Sequence, residues 1–293
     1  MRSVIAILLA SAVSLPADVP SIASKPLAAR TSAPMRTNEV DVIGTDYAFR
    51  LPAELPAGPT TFRFRNDGKM RHEFSIVRLR KGATIDQFIR LSKEAKAQPV
   101  VDGEVGVLFA DPGKRSTSGL TTDLVAGRQY AVRCALRDTL TGPPHFEMGM
   151  YSVLSVRPSK RAPSRRISAD TIFATDYAFR YPRALSPGPH TLVFRNDGKV
   201  MHELNIALLK KGVSLNEFMD ARNAGRNVRA LTDEGLGVLF TQPGEETLGR
   251  LEVNLLPGRE YRIICIFTDN PKSPPHFSLG MFGSIRVPGK PSS

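Results

Sequence analysis

The stretch CALRDTLTGPPHFEMGM, Cys134 to Met150, returns in altered form as CIFTDNPKSPPHFSLGM, Cys265 to Met281. Most loop residues differ between the copies, yet one thiol, one imidazole and one thioether keep their spacing: Cys to His is 11 positions and His to Met is 5 in each. Sulfur donors combined with imidazole nitrogen form a soft ligand set of the kind that suits copper cycling between two oxidation states. Such a set needs a second imidazole, and each half supplies one upstream, His72 in NDGKMRHEF and His202 in NDGKVMHELN. Two sets of candidate metal ligands result: His72, Cys134, His145 and Met150, then His202, Cys265, His276 and Met281.

Outward from these stretches the duplication continues. TDYAFR occurs at Thr45 to Arg50 and at Thr175 to Arg180, and FRNDGK starts at Phe64 and again at Phe194, both at an offset of 130. From GVLF, beginning at Gly106 and Gly237, the offset becomes 131, so the second copy carries one extra residue. A repeat of this length implies two tandem domains, not one large fold. The first is placed at 37–158 and the second at 168–288. A proline-containing, cationic connector at 159–167 lies between them and is expected to be extended. A short tail occupies 289–293.

Ahead of the first copy, residues 1–23 open with Arg2, run through the apolar VIAILLASAV and break into small residues and prolines. This pattern predicts a secretory signal peptide, with 24–36 as a linker. The apolar run is too short to span a bilayer, so the expected location is periplasmic or secreted, with no transmembrane segment after cleavage. Only two cysteines occur, one per half. An exported chain can join them as a disulfide, but that alternative leaves the matched histidines and methionines unexplained. The net charge of +12 and pI near 10 favour acidic partners or anionic surfaces through long-range attraction. No recognition-helix pattern or RNA-binding signature accompanies the charge, so nucleic acid is not expected as a partner.

Within each copy the segments read mainly as strands. TTFRFRN and TLVFRN alternate apolar with polar residues, and Asn66-Asp67-Gly68, Asp111-Pro112-Gly113 and Ala126-Gly127 punctuate the runs as turns. Many short strands with such punctuation predict an all-β, two-sheet antiparallel sandwich. One helical insertion interrupts each copy. Thr84 with Gln87 forms a capping-box pattern ahead of helically spaced Ile85, Phe88, Ile89 and Leu91, and Ser214 with Glu217 repeats it.

The order His, then Cys, His and Met close together near the domain end, resembles the cupredoxins, the blue copper proteins of the plastocyanin and azurin type. The flanks agree: an asparagine turn before the first histidine, Gly-x-x-Tyr leading into the cysteine (Gly127 and Tyr130; Gly258 and Tyr261), and Pro-His-x-x-x-Gly-Met at the end. The resemblance implies two Greek-key β-sandwich domains, each holding one type 1 copper ion with the four ligands named above. Met148 is a competing axial donor, but its counterpart is Leu279, whereas Met150 matches Met281. Two departures stand out. The loop of ten residues between Cys and the second His is longer than in small plastocyanin-like members, and Glu73 and Glu203 follow the first histidine where many members have asparagine.

The function the resemblance implies is one-electron transfer to a redox partner protein, such as a cytochrome or an acidic protein. Pro143, Pro144 and Phe146, with Pro274, Pro275 and Phe277, are expected to surround an imidazole edge as a docking patch. Copper sequestration or delivery is the alternative, and a metal-free structural sandwich is a third. Two-domain cupredoxins also include copper nitrite reductases and small laccases, which need further histidines. Only His190 is left over, it reads as a turn residue, and no His-x-His pair exists, so the chain is expected not to be an enzyme.

Overall fold

The computed structural model describes residues 37–139, 141–160 and 168–289. The expected signal peptide (1–23), the linker 24–36, the connector beyond residue 160 and the tail beyond 289 lie outside the described residues. Among those described, no helix is long and apolar enough to cross a membrane.

Alternating apolar residues fold the first half into β1 (Asn38–Thr45), β2 (Ala48–Arg50), β3 (Glu54–Pro56), β4 (Gly58–Asn66), β5 (His72–Leu79), β6 (Val101–Ala110), β7 (Arg115–Leu124), β8 (Gln129–Arg133) and β9 (Tyr151–Arg157). Helix α1 (Ile85–Lys93) is inserted between β5 and β6. The second half repeats the pattern with β10 (Asp170–Thr175), β11 (Ala178–Arg180), β12 (Gly188–Asn196), β13 (His202–Leu209), β14 (Thr232–Thr241), β15 (Gly249–Leu255), β16 (Glu260–Ile264) and β17 (Phe282–Arg286), with α2 (Leu215–Asn223) after β13. Thr84 and Gln87 exchange both capping-box bonds at α1, whereas at α2 Ser214 accepts from the Glu217 amide without the return bond.

Two sheets sandwich a core that includes Phe62, Phe64, Phe74, Leu120 and Tyr130 in the first half, and Phe194, Leu204, Leu251 and Tyr261 in the second. The expectation of purely antiparallel sheets is corrected in three places: β1 pairs with β4, β10 with β12 and β3 with β9 in parallel. The cause is a crossover. After β2 the chain passes to the opposite sheet as β3 and returns as β4, so β4 runs beside β1 in the same direction. Helices α1 and α2 cover the outer face of the other sheet, where Phe88 and Ile89 pack on Val77 and Ala131, and Phe218 and Met219 on Leu209 and Ile264.

The two halves are joined more closely than a reading as separate tandem domains anticipates. Strand β7 pairs with β15 and β6 with β14, both antiparallel, which extends the sheets to eight and nine strands across the chain. Leu120 lies opposite Leu251, and Val107 opposite Val238. Each pair consists of equivalent repeat positions, so a local two-fold axis relates the halves and the contact is self-complementary. The pairing also covers strand edges that would otherwise be open. Glu252 reinforces the join, accepting from Arg63 at 2.8 Å, Thr121 at 2.5 Å and Thr61 at 3.2 Å.

The glycine of each GVLF serves this junction. Gly106 has φ +151° and a Cβ there would meet the Val238 carbonyl oxygen at 2.8 Å; Gly237, at φ +158°, would meet that of Val107 at 2.6 Å. Gly106→Ala is therefore expected to lower the unfolding free energy by about 1–3 kcal/mol through overpacking and backbone strain. Denaturant unfolding checks it, and an unchanged midpoint would remove the close-approach account.

Candidate metal centre

The NDGK turn builds the first ligand's position. Asn66 is fully buried at the end of β4, and its amide donates to the carbonyls of Met70 at 2.7 Å and Ala110 at 3.0 Å while its oxygen accepts from Gly68 N–H at 2.9 Å. Asn196 repeats this with Val200, Thr241 and Gly198. The clamp delivers His72 and His202 as the first residues of β5 and β13. Cys134 and Cys265 follow β8 and β16, and His145 and His276 open short 3₁₀ turns ending at Gly149 and Gly280 in the left-handed conformation. Met150 and Met281 follow, and their amides donate to His145 O and His276 O at 2.9 and 3.0 Å.

These segments converge. His72, Cys134 and His145 place ligand atoms within 4.8 Å of one another, as do His202, Cys265 and His276, and all six residues are buried. In each half the two histidine Nδ1 atoms are 3.0 Å apart. The thiol sulfur lies 3.4 and 3.9 Å from them in the first half and 3.4 and 4.0 Å in the second. Met150 and Met281 are fully buried, whereas Met148 is 37 % exposed. Both cysteines are free thiols, so the disulfide alternative does not hold.

Nitrogen and sulfur donors about 2.0–2.3 Å from one ion in a trigonal plane lie roughly 3.5–3.7 Å from each other, close to the triangles observed. Tautomer chemistry points the same way. His145 Nε2 is 2.8 Å from Asp138 Oδ1, and His72 Nε2 is 3.3 Å from Asp46 Oδ1. With the Nε2 protons given to carboxylates, two Nδ1 lone pairs face each other across 3.0 Å, an arrangement a cation resolves. The residues fit a metal ion.

Comparison with known proteins bears on the fold alone. No protein-family model and no curated relative matches the chain. Solved structures do. Auracyanin from Roseiflexus castenholzii is 18 % identical, covering 42 % of this chain and 98 % of its own, with TM-score 0.30. Each half has the cupredoxin fold. Over both halves, a copper nitrite reductase from Nitrosomonas europaea matches at 12 % identity, covering 87 % of this chain and 95 % of its own, with TM-score 0.26. A multicopper oxidase matches at 14 % identity, 85 % and 88 % coverage and TM-score 0.24. The expectation that the chain is not an enzyme is corrected: copper enzymes are among the proteins that match over both halves. A histidine count limits the ligands that one chain supplies, not the chemistry open to it.

Three residues per half were not assigned from sequence. Tyr47 donates to Asp138 Oδ2 at 2.7 Å, and its ring stands edge-on to His145 at 5.2 Å; Tyr177 does the same for Asp269 and His276, at 2.7 and 5.0 Å. Asp46, from the same TDY motif, accepts from the amides of Lys69 and Met70 as well as facing His72. The signal was present: TDY recurs at the offset of the repeat, and Asp138 and Asp269 occupy matching positions in the Cys–His loop. Tyr47 and Tyr177 both have φ +62°, an unusual conformation for a residue with a side chain.

The expected docking patch around an exposed imidazole edge is corrected. His145 and His276 are only 1 % and 0 % exposed, because the tyrosine and aspartate cap them. Phe146 and Phe277 turn inward onto the α1 and α2 clusters. His190 is a strand residue on β12, not a turn residue, and its Nδ1 lies 2.6 Å from Asp170 Oδ2.

Glu73 and Glu203 supply the tie for which cupredoxins often use asparagine. Each carboxylate accepts from the amide after the cysteine, Ala135 at 2.9 Å and Ile266 at 3.1 Å, while the glutamates' own amides donate to the cysteine sulfurs at 3.4 Å. An acceptor-only group serves because the partner is an N–H.

Burial sets the protonation of the donors. It pushes both thiols up to about 12, with the neighbouring glutamates adding to the effect. It also holds His202 down at about 4, assisted by His276, and lowers His72 against the pull of Asp46. Metal-free thiols are thus protonated at neutral pH, and His72 and His202 are not. Copper loading near pH 7 is expected to release about one proton per ion, with affinity rising about tenfold per pH unit. Calorimetry in buffers of different ionisation enthalpy measures this; zero release would mean a preformed thiolate.

The halves differ at one point. His202 Nε2 is 4.0 Å from Asp176 and makes no hydrogen bond, whereas His72 Nε2 is 3.3 Å from Asp46. Asp46→Ala is expected to weaken metal binding in the first half by about 10–100-fold, and Asp176→Ala to change the second much less. Chelator competition resolves the two; equal losses would refute the asymmetry.

Proposed function

We propose that each half holds one type 1 copper ion, through His72, Cys134, His145 and Met150 and through His202, Cys265, His276 and Met281, and that the chain moves single electrons to and from a redox partner outside the cytoplasm. The observation that carries this is the buried His–Cys–His triangle, preformed twice with nearly identical dimensions. When bound, copper would supply a one-electron couple that a thiolate, two imidazoles and a weak thioether serve in both oxidation states. The protein's part is to hold the donors still. The glutamates fix the cysteine loop, the aspartates and tyrosines fix the imidazoles, and burial keeps water away.

Partner contact is supported by two features. Met148 and Tyr151 beside Met150, and Leu279 and Phe282 beside Met281, are 37 to 45 % exposed apolar groups at equivalent positions. The net charge of +12 favours an acidic partner. The apolar, small-residue pattern of residues 1–23 supports export.

Copper titration followed by optical and electron paramagnetic resonance spectra tests the reading. Two equivalents with a copper–thiolate band are expected, followed by oxidation of a reduced cytochrome. A protein that stays colourless refutes the copper assignment. Rapid surrender of Cu(I) to a chelator with no electron exchange replaces electron transfer by copper delivery.

A further inference from the structure

Where the two halves join, the outer face of β5, β6, β13 and β14 forms the floor of a cleft of about 790 Å³, flanked by residues of α1 and α2. That volume lies in the range of small-molecule sites. Seven cationic side chains line it against four carboxylates. The core of this charge is Arg71, Arg133, Arg222 and Arg262.

Their setting is unusual for arginines. Each guanidinium lies over an aromatic ring: Arg71 on Phe109 at 4.8 Å, Arg133 on Phe88 at 4.9 Å, Arg222 on Phe277 at 4.5 Å and Arg262 on Phe218 at 5.3 Å. Stacking holds the planar group in place while leaving its edge free to donate. All four Nε atoms are buried and make no hydrogen bond. Arg71 Nε does stand in an ion pair 3.3 Å from Asp111 Oδ1, and Arg262 Nη1 donates to Asn205 O and Oδ1 at 2.7 Å, so Arg133 and Arg222 are the two with no such contact. Unmet buried donors are costly, and their gathering in one cleft marks a place for an acceptor.

The charge is not a by-product of duplication. At the repeat positions equivalent to Arg71, Arg133, Arg222 and Arg262 stand Met201, Ile264, Ser92 and Ala131. Each half contributes two arginines at non-matching positions, and only the assembled junction brings them together. Like charges oppose one another there: burial and then Arg222 depress Arg262 to about 9, and burial and Arg229 depress Arg71. Glu104 and Glu203, both raised to about 7 by burial, are only partly ionised at neutral pH and offset the charge in part.

We propose that this cleft binds a small multivalent oxyanion, a molecule carrying two or more carboxylate or phosphate groups, through the edges of Arg71, Arg133, Arg222 and Arg262. Planar guanidinium forks match such groups in a bidentate way. Glu73 and Glu203 also line the cleft and hold the amides after Cys134 and Cys265, so the bound anion lies behind both cysteine loops.

The test uses metal-free full-length protein, which separates it from the copper reading. Isothermal titration with citrate and with pyrophosphate at low salt is expected to show one saturable site. Arg133→Met/Arg222→Met is expected to weaken it at least tenfold, while Arg157→Met, an exposed arginine remote from the cleft lining, leaves it unchanged. Thermal unfolding confirms that each variant folds; if the double variant does not, single Arg222→Met carries the comparison with a loss of several-fold. No saturable binding, or equal affinity in the cleft and Arg157 variants, overturns the proposal. Tighter binding of hexaglutamate than of citrate also overturns it, in favour of a protein partner.

Discussion

Cys134→Ser is expected to remove half of the copper–thiolate absorption of the fully loaded protein, Cys265→Ser the other half, and the double substitution all of it. The sulfur anion is the donor that binds Cu(II) covalently enough to give visible charge transfer; an alcohol oxygen, protonated at neutral pH, does not replace it. The fold should survive. Serine keeps the size and the buried position, and the Glu73 and Glu203 amides that donate to sulfur at 3.4 Å can donate to oxygen. Absorbance per mole of bound copper, with the proportion of each paramagnetic signal, reads the result. Loss of the whole band in a single variant would mean that the halves are not independent sites, and no loss would refute the ligand assignment.

The fold was legible because its signals are local. Alternation in TTFRFRN, the turn in Asn66-Asp67-Gly68 and the Thr84–Gln87 cap each depend on neighbours within a few positions, and all reappear as strand, turn and helix cap. The donor clusters were legible through spacing repeated twice. What spacing cannot convey is the direction a side chain faces. The spacing predicts an imidazole edge at His145 with Phe146 in its apolar surround, yet the 3₁₀ turn points both inward, one to the site and the other under α1. The junction was hidden for a different reason. Pairing of Leu120 with Leu251 and Val107 with Val238 joins residues 131 positions apart, and the only trace in the sequence was a glycine in each GVLF with no turn to explain it. Asp46 and Tyr47 were visible as part of a repeated hexapeptide, but a repeat by itself does not distinguish a strand hairpin from a support for a distant histidine.

That support leads to the other large effect. Asp138→Ala is expected to lower the copper affinity of the first half by about 10–100-fold, the range for loss of a carboxylate that orients a ligating imidazole. Asp138 joins two partners: its Oδ1 faces His145 Nε2 at 2.8 Å and its Oδ2 accepts from Tyr47 at 2.7 Å. These two hydrogen bonds, that of Tyr47 first, hold the carboxyl below its usual range, so it stays charged as acceptor for the imidazole N–H. Removing it frees the ring to rotate and permits the wrong tautomer, with the proton on Nδ1. Tyr47→Phe keeps the ring packed against His145 and deletes only the hydroxyl, so a smaller loss of a few-fold is expected, with the paramagnetic spectrum shifted because the imidazole is held less firmly. Asp269→Ala and Tyr177→Phe should reproduce the same order in the second half, where the corresponding distances are 3.0 and 2.7 Å. Chelator competition on each variant measures the affinities. If Tyr47→Phe costs as much as Asp138→Ala, the hydroxyl is a positioning group in its own right; if neither moves the affinity, the carboxylate does not set the orientation of the histidine.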